Sequence, residues 1–215
     1  MIASTLSQLA DLVLGNNVLA QVPDLNTFGG PVRMPTLEKM AKGGLKYNQF
    51  HTTALCSPTR AALITGRNHH NAHMGGISEI AYGFPGYDGN VPFENGFLSE
   101  ILLGEGFNTY MVGKWHLIPS SQESGAGPYD RWPLGRGFER FYGFLGGDTS
   151  QWHPDLVYDN HQVEPDRTPE EGYHLTPDLV DRSISFIADS KQVAPEKPFY
   201  LHLCFGATHA PHHVP

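Results

Sequence analysis

The apolar positions follow two rhythms. Between residues 36 and 43, Leu37, Met40 and Ala41 share one face of a short predicted helix that Gly43 and Gly44 stop. Residues 58–65 read as a second helix, its first turn just after Cys56 and Pro58 well placed near its start. Asn95 is the expected cap of a third, with Phe97, Leu98, Ile101 and Leu102 at helical spacing and Gly104 and Gly106 ending it. A fourth, over residues 177–190, is amphipathic, with Leu179, Val180, Ile184 and Ile187 expected to face inward. The other rhythm is the short apolar run. Residues 45–51 and 109–112 are read as strands, the latter running into Gly113-Lys114-Trp115-His116. Residues 199–205 are almost continuously apolar, as in a strand buried on both faces. Residues 69–96, with five glycines between Gly75 and Gly89, and the turn-rich stretch 119–136 read as loops. Strands alternating with helices predict an α/β fold around a largely parallel or mixed sheet.

Composition narrows the classes. Of 215 residues 40% are hydrophobic and 17% charged, so the 24 Gly and 17 Pro predict many turns within a domain that has a core, not disorder. Acids outnumber Lys and Arg by 22 to 14, a formal charge of -8 with no basic run, which argues against nucleic acid as a partner. No apolar stretch approaches the ~20 residues of a membrane span. Residues 1–21 lack the charged start and compact apolar block of a signal peptide. The chain therefore reads as soluble, with no membrane partner and no compartment assigned. Cys56 and Cys204 cannot build a disulfide framework. Both ends depart from a complete domain: the first 20 residues offer no clear strand, and the chain stops in a His- and Pro-rich loop after an apolar strand. The expectation is a piece of a larger catalytic domain.

The sharpest feature is Cys56-Ser57-Pro58-Thr59-Arg60, followed by Ala61-Ala62-Leu63-Ile64-Thr65-Gly66-Arg67. A cysteine opening a helix meets unpaired N–H groups and the positive end of the helix dipole. Arg60, one turn on, adds a fixed charge with five donors. That setting suits an anion or a developing anion; the plain alternative is a buried cysteine ahead of a helix. In these residues the sequence resembles the sulfatase family, whose signature is C-x-P-x-R followed by A-x-L-x-T-G-R. Gly113-Lys114-Trp115-His116-Leu117 resembles the family's second signature, and Thr208-His209-Ala210-Pro211 falls where a later catalytic histidine is found. Phe28-Gly29-Gly30, Pro35-Thr36-Leu37, Gly137-Phe138 and Phe141-Tyr142-Gly143 resemble its scaffold. The resemblance is nearest to the longer bacterial arylsulfatases. It divides the chain into a non-matching segment, 1–26, and a partial catalytic domain, 27–215.

The resemblance implies an alkaline-phosphatase-like mixed sheet flanked by helices, truncated at both ends, and hydrolysis of sulfate monoesters. In the family this cysteine is oxidised to formylglycine by a maturation enzyme, here an implied partner, and one hydroxyl of the hydrated aldehyde attacks sulfur. By resemblance Cys56 supplies that nucleophile once converted. Arg60 holds the gem-diol and favours its ionised form, and Lys114 contacts both sulfate and formylglycine. His116 takes the proton from the second hydroxyl, and His209 binds the sulfate and donates to the leaving oxygen. On the residues alone, Lys114 and His116 alternate along an extended segment and so share a face, as they would on a polar edge strand. His209, near His212 and His213, reads equally as a surface group. His69, His70 and His73 either line the mouth of the site or bind a metal, or do neither. His51 would pack beside the signature, Cys204 and Trp115 read as core, and His153, His161 and His174 have no argued role.

The family also implies a divalent cation, usually calcium, on hard oxygen ligands: two adjacent Asp after the first strand and an Asp-Asn pair on a later one. This sequence has no adjacent Asp pair, and Val18 and Leu19 stand about where it would be. Asp159-Asn160, between Val157-Tyr158 and His161-Gln162-Val163, reads as a hairpin turn and not as the later pair. Formylglycine at position 56 would be the one metal ligand retained. Three readings stay open: a sulfuric ester hydrolase of arylsulfatase type, a phosphonate or phosphodiester hydrolase of the same superfamily, and an inactive sulfatase-like fragment lacking the metal site.

Overall fold

The computed structural model describes residues 25–47 and 51–215. Its centre is a five-stranded mixed sheet of β1 (Asn108–Lys114), β2 (Arg140–Phe144), β3 (Leu156–Tyr158), β4 (His161–Val163) and β5 (Phe199–Cys204), in the order β4-β3-β2-β1-β5. β1 runs parallel to both β2 and β5, with Met111 opposite Phe141 on one side and His202 on the other. β3 and β4 are added antiparallel. The three parallel strands therefore end together at Lys114, Phe144 and Cys204, and the loops that follow gather at one edge. Open α/β sheets assemble their sites at that edge.

α1 (Pro35–Lys42) packs against the 3-10 turn Asn26–Phe28, and three helices cover the sheet: α2 (Cys56–Thr65), α3 (Leu98–Gly104) and α4 (Leu175–Val193). Successive β1 side chains point to opposite faces, so one strand serves two layers. Met111, with Phe141, Tyr200 and Cys204, joins Ala61 and Ile64 of α2 and the rings of Phe97, Trp115, Trp132 and Phe138. Tyr110 and Val112, with Tyr142 and Leu201, pack against Leu175, Leu179 and Phe186 of α4. No helix among the described residues is long and apolar enough to cross a membrane.

The mixed α/β architecture is the one the sequence pattern predicts, but several details differ. α3 is capped at Phe97, not Asn95. The Phe97 amide donates to the Glu100 carboxylate at 2.6 Å, while Asn95 belongs to a preceding 3-10 turn and donates to the Asn71 carbonyl at 3.0 Å. α4 is longer than predicted and rolled: Leu175, Leu179, Ser183, Phe186 and Ser190 are buried, while Ile184 is 58% exposed. Two serines on the inner face let the helix lie close. Ser183 bonds within its own helix to the Leu179 carbonyl at 2.7 Å, and Ser190 receives the Asn108 amide at 2.8 Å. Residues 45–47 form no strand, and 48–50 lie outside the described residues, as do Val18, Leu19 and residues 1–24. β2 lies in a stretch that hydropathy alone did not mark.

Candidate active site

α2 begins at Cys56 itself. Leu55 before it is extended, so the thiol stands on the first turn, where helix N–H groups have no intrahelical acceptor. The Thr53 and Thr59 hydroxyls, 2.6 Å apart, fix the chain as it enters the helix. Arg60 is 3% exposed and turns toward the end of β1. Its Nε donates to the Trp115 carbonyl at 2.8 Å and its Nη2 to the Lys114 carbonyl. The guanidinium is thus a strut between the start of α2 and the end of β1.

The end of β1 is shaped by what it lacks. Gly113 has φ +99°, and a Cβ there would lie 1.8 Å from the Cys204 carbonyl oxygen; one on Gly143 would lie 2.0 Å from the Gly113 oxygen. Bare backbone at both places lets β2 and β5 close around the strand that carries the site. Pairing with β2 continues past β1: the Trp115 amide donates to Phe144 and the His116 amide to Leu145, each at 2.9 Å. His116 adopts φ 53°, a left-handed conformation uncommon outside glycine, where the chain turns away from the sheet. Trp115 enters the core between Phe97 and Phe138, its indole N–H on the Arg131 carbonyl at 3.0 Å. Lys114 and His116 flank it at 0% and 1% exposure, beside Cys56.

This proximity sets the charges. Burial pushes the Cys56 thiol up, but its interaction with the His116 ring, and then the charges of His116 and Lys114, outweigh burial and bring it down to about 6. Burial draws the Lys114 ammonium down to about 8, against the neighbouring thiolate, which holds it up; Arg60 adds repulsion. Burial also works against protonated His116, yet bonding to Cys56 and Glu79 raises it above the ordinary histidine value. Among the described residues, Lys114 Nζ and His116 Nδ1 have no hydrogen-bond partner besides the Cys56 sulfur.

Glu79 is the site residue that the sequence did not disclose. Its carboxylate meets His116 Nε2 at 2.8 Å through one oxygen and 2.9 Å through the other. That hydrogen bond is the main reason its carboxyl falls to about 2, against the opposing effect of burial. Glu79 sits in the turn Ser78–Ile80 of the long glycine-rich loop. The loop is folded back on itself by Gly75 donating to Gly86, Gly89 to His73 and Tyr82 to Tyr87, at 2.8–2.9 Å. His73 pairs with Asp88 at 3.0 Å and His70 with the Tyr87 hydroxyl at 3.0 Å, with the His69 ring 4.2 Å from that of His70. These histidines tie down the loop that carries Glu79. The density of glycines was the available signal that this loop is tightly folded; nothing in the sequence singled out its acid.

Elsewhere the histidines divide plainly. His209 lies half-buried on the loop after β5, its Nδ1 2.7 Å from the Ala210 carbonyl. His174 caps α4, accepting from the Thr176 amide at 3.2 Å through Nδ1 and donating from Nε2 to the His213 carbonyl at 3.1 Å. His51, His153 and His161 are exposed, and Cys204 is buried core. The structure therefore brings Cys56, Lys114 and His116 together, places Arg60 behind them and puts His209 on the loop after β5.

The Sulfatase family model matches residues 12–215. This chain belongs to the sulfatase family. It is 30% identical over 203 residues to the arylsulfatase of Klebsiella aerogenes, covering 89% of this chain and 41% of that protein. It is 31% identical over 205 residues to the N-acetylgalactosamine-6-sulfatase of Sus scrofa, covering 87% of this chain and 37% of that protein. The crystal structure of Ps i-CgsB in complex with k-i-k-neocarrahexaose shares the fold at TM-score 0.68 and 24% identity, covering 94% of this chain and 45% of that one. The chain thus spans less than half the length of these proteins. Its sheet and helices are the alkaline-phosphatase-like arrangement of sulfatases. The family match begins at residue 12, within the segment set apart as 1–26, most of which lies outside the described residues.

The sulfatase resemblance implies a calcium ion, but the residues described do not fit one. Among them no group of three or more His, Cys, Asp or Glu side chains could hold a metal. The Glu79 carboxylate is committed to His116. Asp159, in the β3–β4 turn, accepts from Arg140 Nε at 3.2 Å and from the Phe141 amide at 3.0 Å.

Proposed function

We propose that this chain carries the nucleophile, the anion-binding cation and the base of a sulfuric ester hydrolase of arylsulfatase type, with the nucleophile formed from Cys56. The observation that carries the reading is Lys114 Nζ: fully buried, with no hydrogen-bond partner among the described residues except the Cys56 side chain, which stands on a helix N-terminus. Conversion of the thiol to an uncharged aldehyde would take that partner away, and burying a cation with no partner is unfavourable. Such a group is explained by an anion that arrives to meet it, and a sulfate ester is one. The names of the Klebsiella aerogenes and Sus scrofa relatives support sulfate esters as the substrate class.

Formylglycine at position 56 would supply a hydrated aldehyde with a hydroxyl able to attack sulfur, and a formylglycine-generating enzyme is then a required partner. The chain's own groups do the rest. Lys114 neutralises charge on the non-bridging oxygens, and the N–H groups at the start of α2 face the same space. His116 accepts a proton at Nδ1 from the oxygen at position 56. Arg60 holds the Lys114–Trp115 backbone, so both groups keep their places. His209 donates a proton to the leaving oxygen from the loop after β5, at the same edge of the sheet.

The test is hydrolysis of paired sulfate and phosphonate esters of one phenol by the protein that carries this chain, produced with the maturation enzyme. Peptide mass at residue 56 reports conversion. Turnover of the sulfate ester is expected, abolished by Cys56→Ala and reduced about a hundredfold or more by Lys114→Ala and by His116→Ala. Faster cleavage of the phosphonate would move the reading to the phosphonate hydrolases. An unconverted thiol with no turnover of either ester would make the chain an inactive relative.

A further inference from the structure

Nothing in the sequence or in the family signatures gives Glu79 a part. Its carboxylate nevertheless pairs with His116 Nε2, with Oε1 at 2.8 Å and the hydrogen bond to Oε2 at 2.9 Å, and the ring it holds is 1% exposed. An ionised carboxylate accepts hydrogen bonds and cannot donate them. The proton between the two groups therefore sits on Nε2. In the neutral ring this leaves the lone pair on Nδ1, the nitrogen whose one neighbouring partner among the described residues is the Cys56 sulfur. We infer that Glu79 is a positioning residue, which fixes His116 as the Nε2–H tautomer and so turns a proton-accepting Nδ1 toward position 56. This deepens the proposed function and rests on position 56 carrying the reacting group.

The surroundings are built for that bond. Ser78 donates at 3.3 Å to Glu79 Oε2, the oxygen that also takes the His116 hydrogen bond. Gly147 covers the pair from the loop after β2: a Cβ there would lie 2.7 Å from Glu79 Oε1 and 2.8 Å from His116 Cε1. Glu123 lies near enough that burial and the charge of Glu79 raise its carboxyl. A purely mechanical tie would need only a hydrogen bond of the right length. A tautomer lock needs an acceptor that cannot donate. Those two roles separate on one substitution, Glu79→Gln, which keeps shape and hydrogen-bonding capacity but brings an NH2 to the ring.

The experiment has two arms. In the first, protein with Cys56→Ser, which removes the thiolate, is labelled with 15N-histidine. Two-bond proton–nitrogen correlations are then read on the alkaline side of the His116 titration, where the ring is neutral. With Glu79 present, His116 reads as Nε2–H. With Glu79→Gln it becomes Nδ1–H or a mixture, and Glu79→Ala also gives a mixture. In the second arm, in the converted protein, Glu79→Gln lowers kcat about tenfold to a hundredfold, the usual size for a partner that orients a functional histidine, with KM changed less than about twofold. Gly147→Ala, which drives the carboxylate off the ring, lowers kcat in the same way. An unaltered tautomer in both Glu79 variants overturns the inference, as does unaltered kcat in converted Glu79→Gln. If the tautomer responds but no variant or parent cleaves a sulfate ester, Glu79 keeps its role and the proposed function falls.

Discussion

At the scale of single residues, the decisive fact is that three side chains from two distant segments share one buried space. Cys56 opens a helix, and Lys114 and His116 close a strand. Each changes the others' protonation. The Cys56 thiol, drawn down to about 6 by His116 and Lys114 in spite of burial, is a thiolate at neutral pH in the unconverted protein. Alkylation by iodoacetamide is therefore expected to reach half its maximal rate near pH 6, well below an ordinary thiol. In His116→Ala burial is left with less to oppose it, and the midpoint moves up. A parent midpoint in the ordinary thiol range would contradict the arrangement. Cys56, Lys114 and His116 were legible in the sequence because the chemistry fixes their spacing within short segments. Glu79 was not, because its bond to His116 joins positions far apart in the chain through a loop with no periodicity.

At the scale of elements, the sequence showed where the helices and strands are better than which way they face. Hydropathy put Ile184 inside α4 and left Ser183 and Ser190 unassigned. The structure reverses this, because small hydroxyls satisfied within the helix or by Asn108 let Phe186 reach the sheet. The sharper constraint at this scale is Gly113. A methyl group there would overlap the Cys204 carbonyl and would have to be held at φ +99°. Gly113→Ala is expected to destabilise by about 3 kcal/mol or more, above the ~1–3 kcal/mol of ordinary overpacking because strain is added. Denaturant unfolding measures this. Gly104→Ala, with nothing within 4 Å of its Cβ and an ordinary helical backbone, is the control and is expected to change stability little.

At the scale of the molecule, the architecture followed from the alternation of strands and helices, and the parallel core put the site at the ends of β1, β2 and β5. What composition could not show was how the two layers divide the strand that carries the site. Because the α4 layer is a real core, Leu179→Ala, from a fully buried position, is expected to cost about 2–5 kcal/mol. Ile184→Ala, on the exposed side of the same helix, stays within about 0.5 kcal/mol. Equal losses at the two positions would mean that the helix packs by another face. Trp115 stands between the two functional groups, and its ring is wedged among Phe97 and Phe138. Lys114 and His116 therefore cannot loosen by a private, local opening, and their amides exchange with solvent only when the hydrophobic interior itself comes apart. An anion seated against Lys114 would be felt as a slowing of deuterium uptake along β1 and β2, and the protection of those strands becomes a gauge of occupancy at their tips.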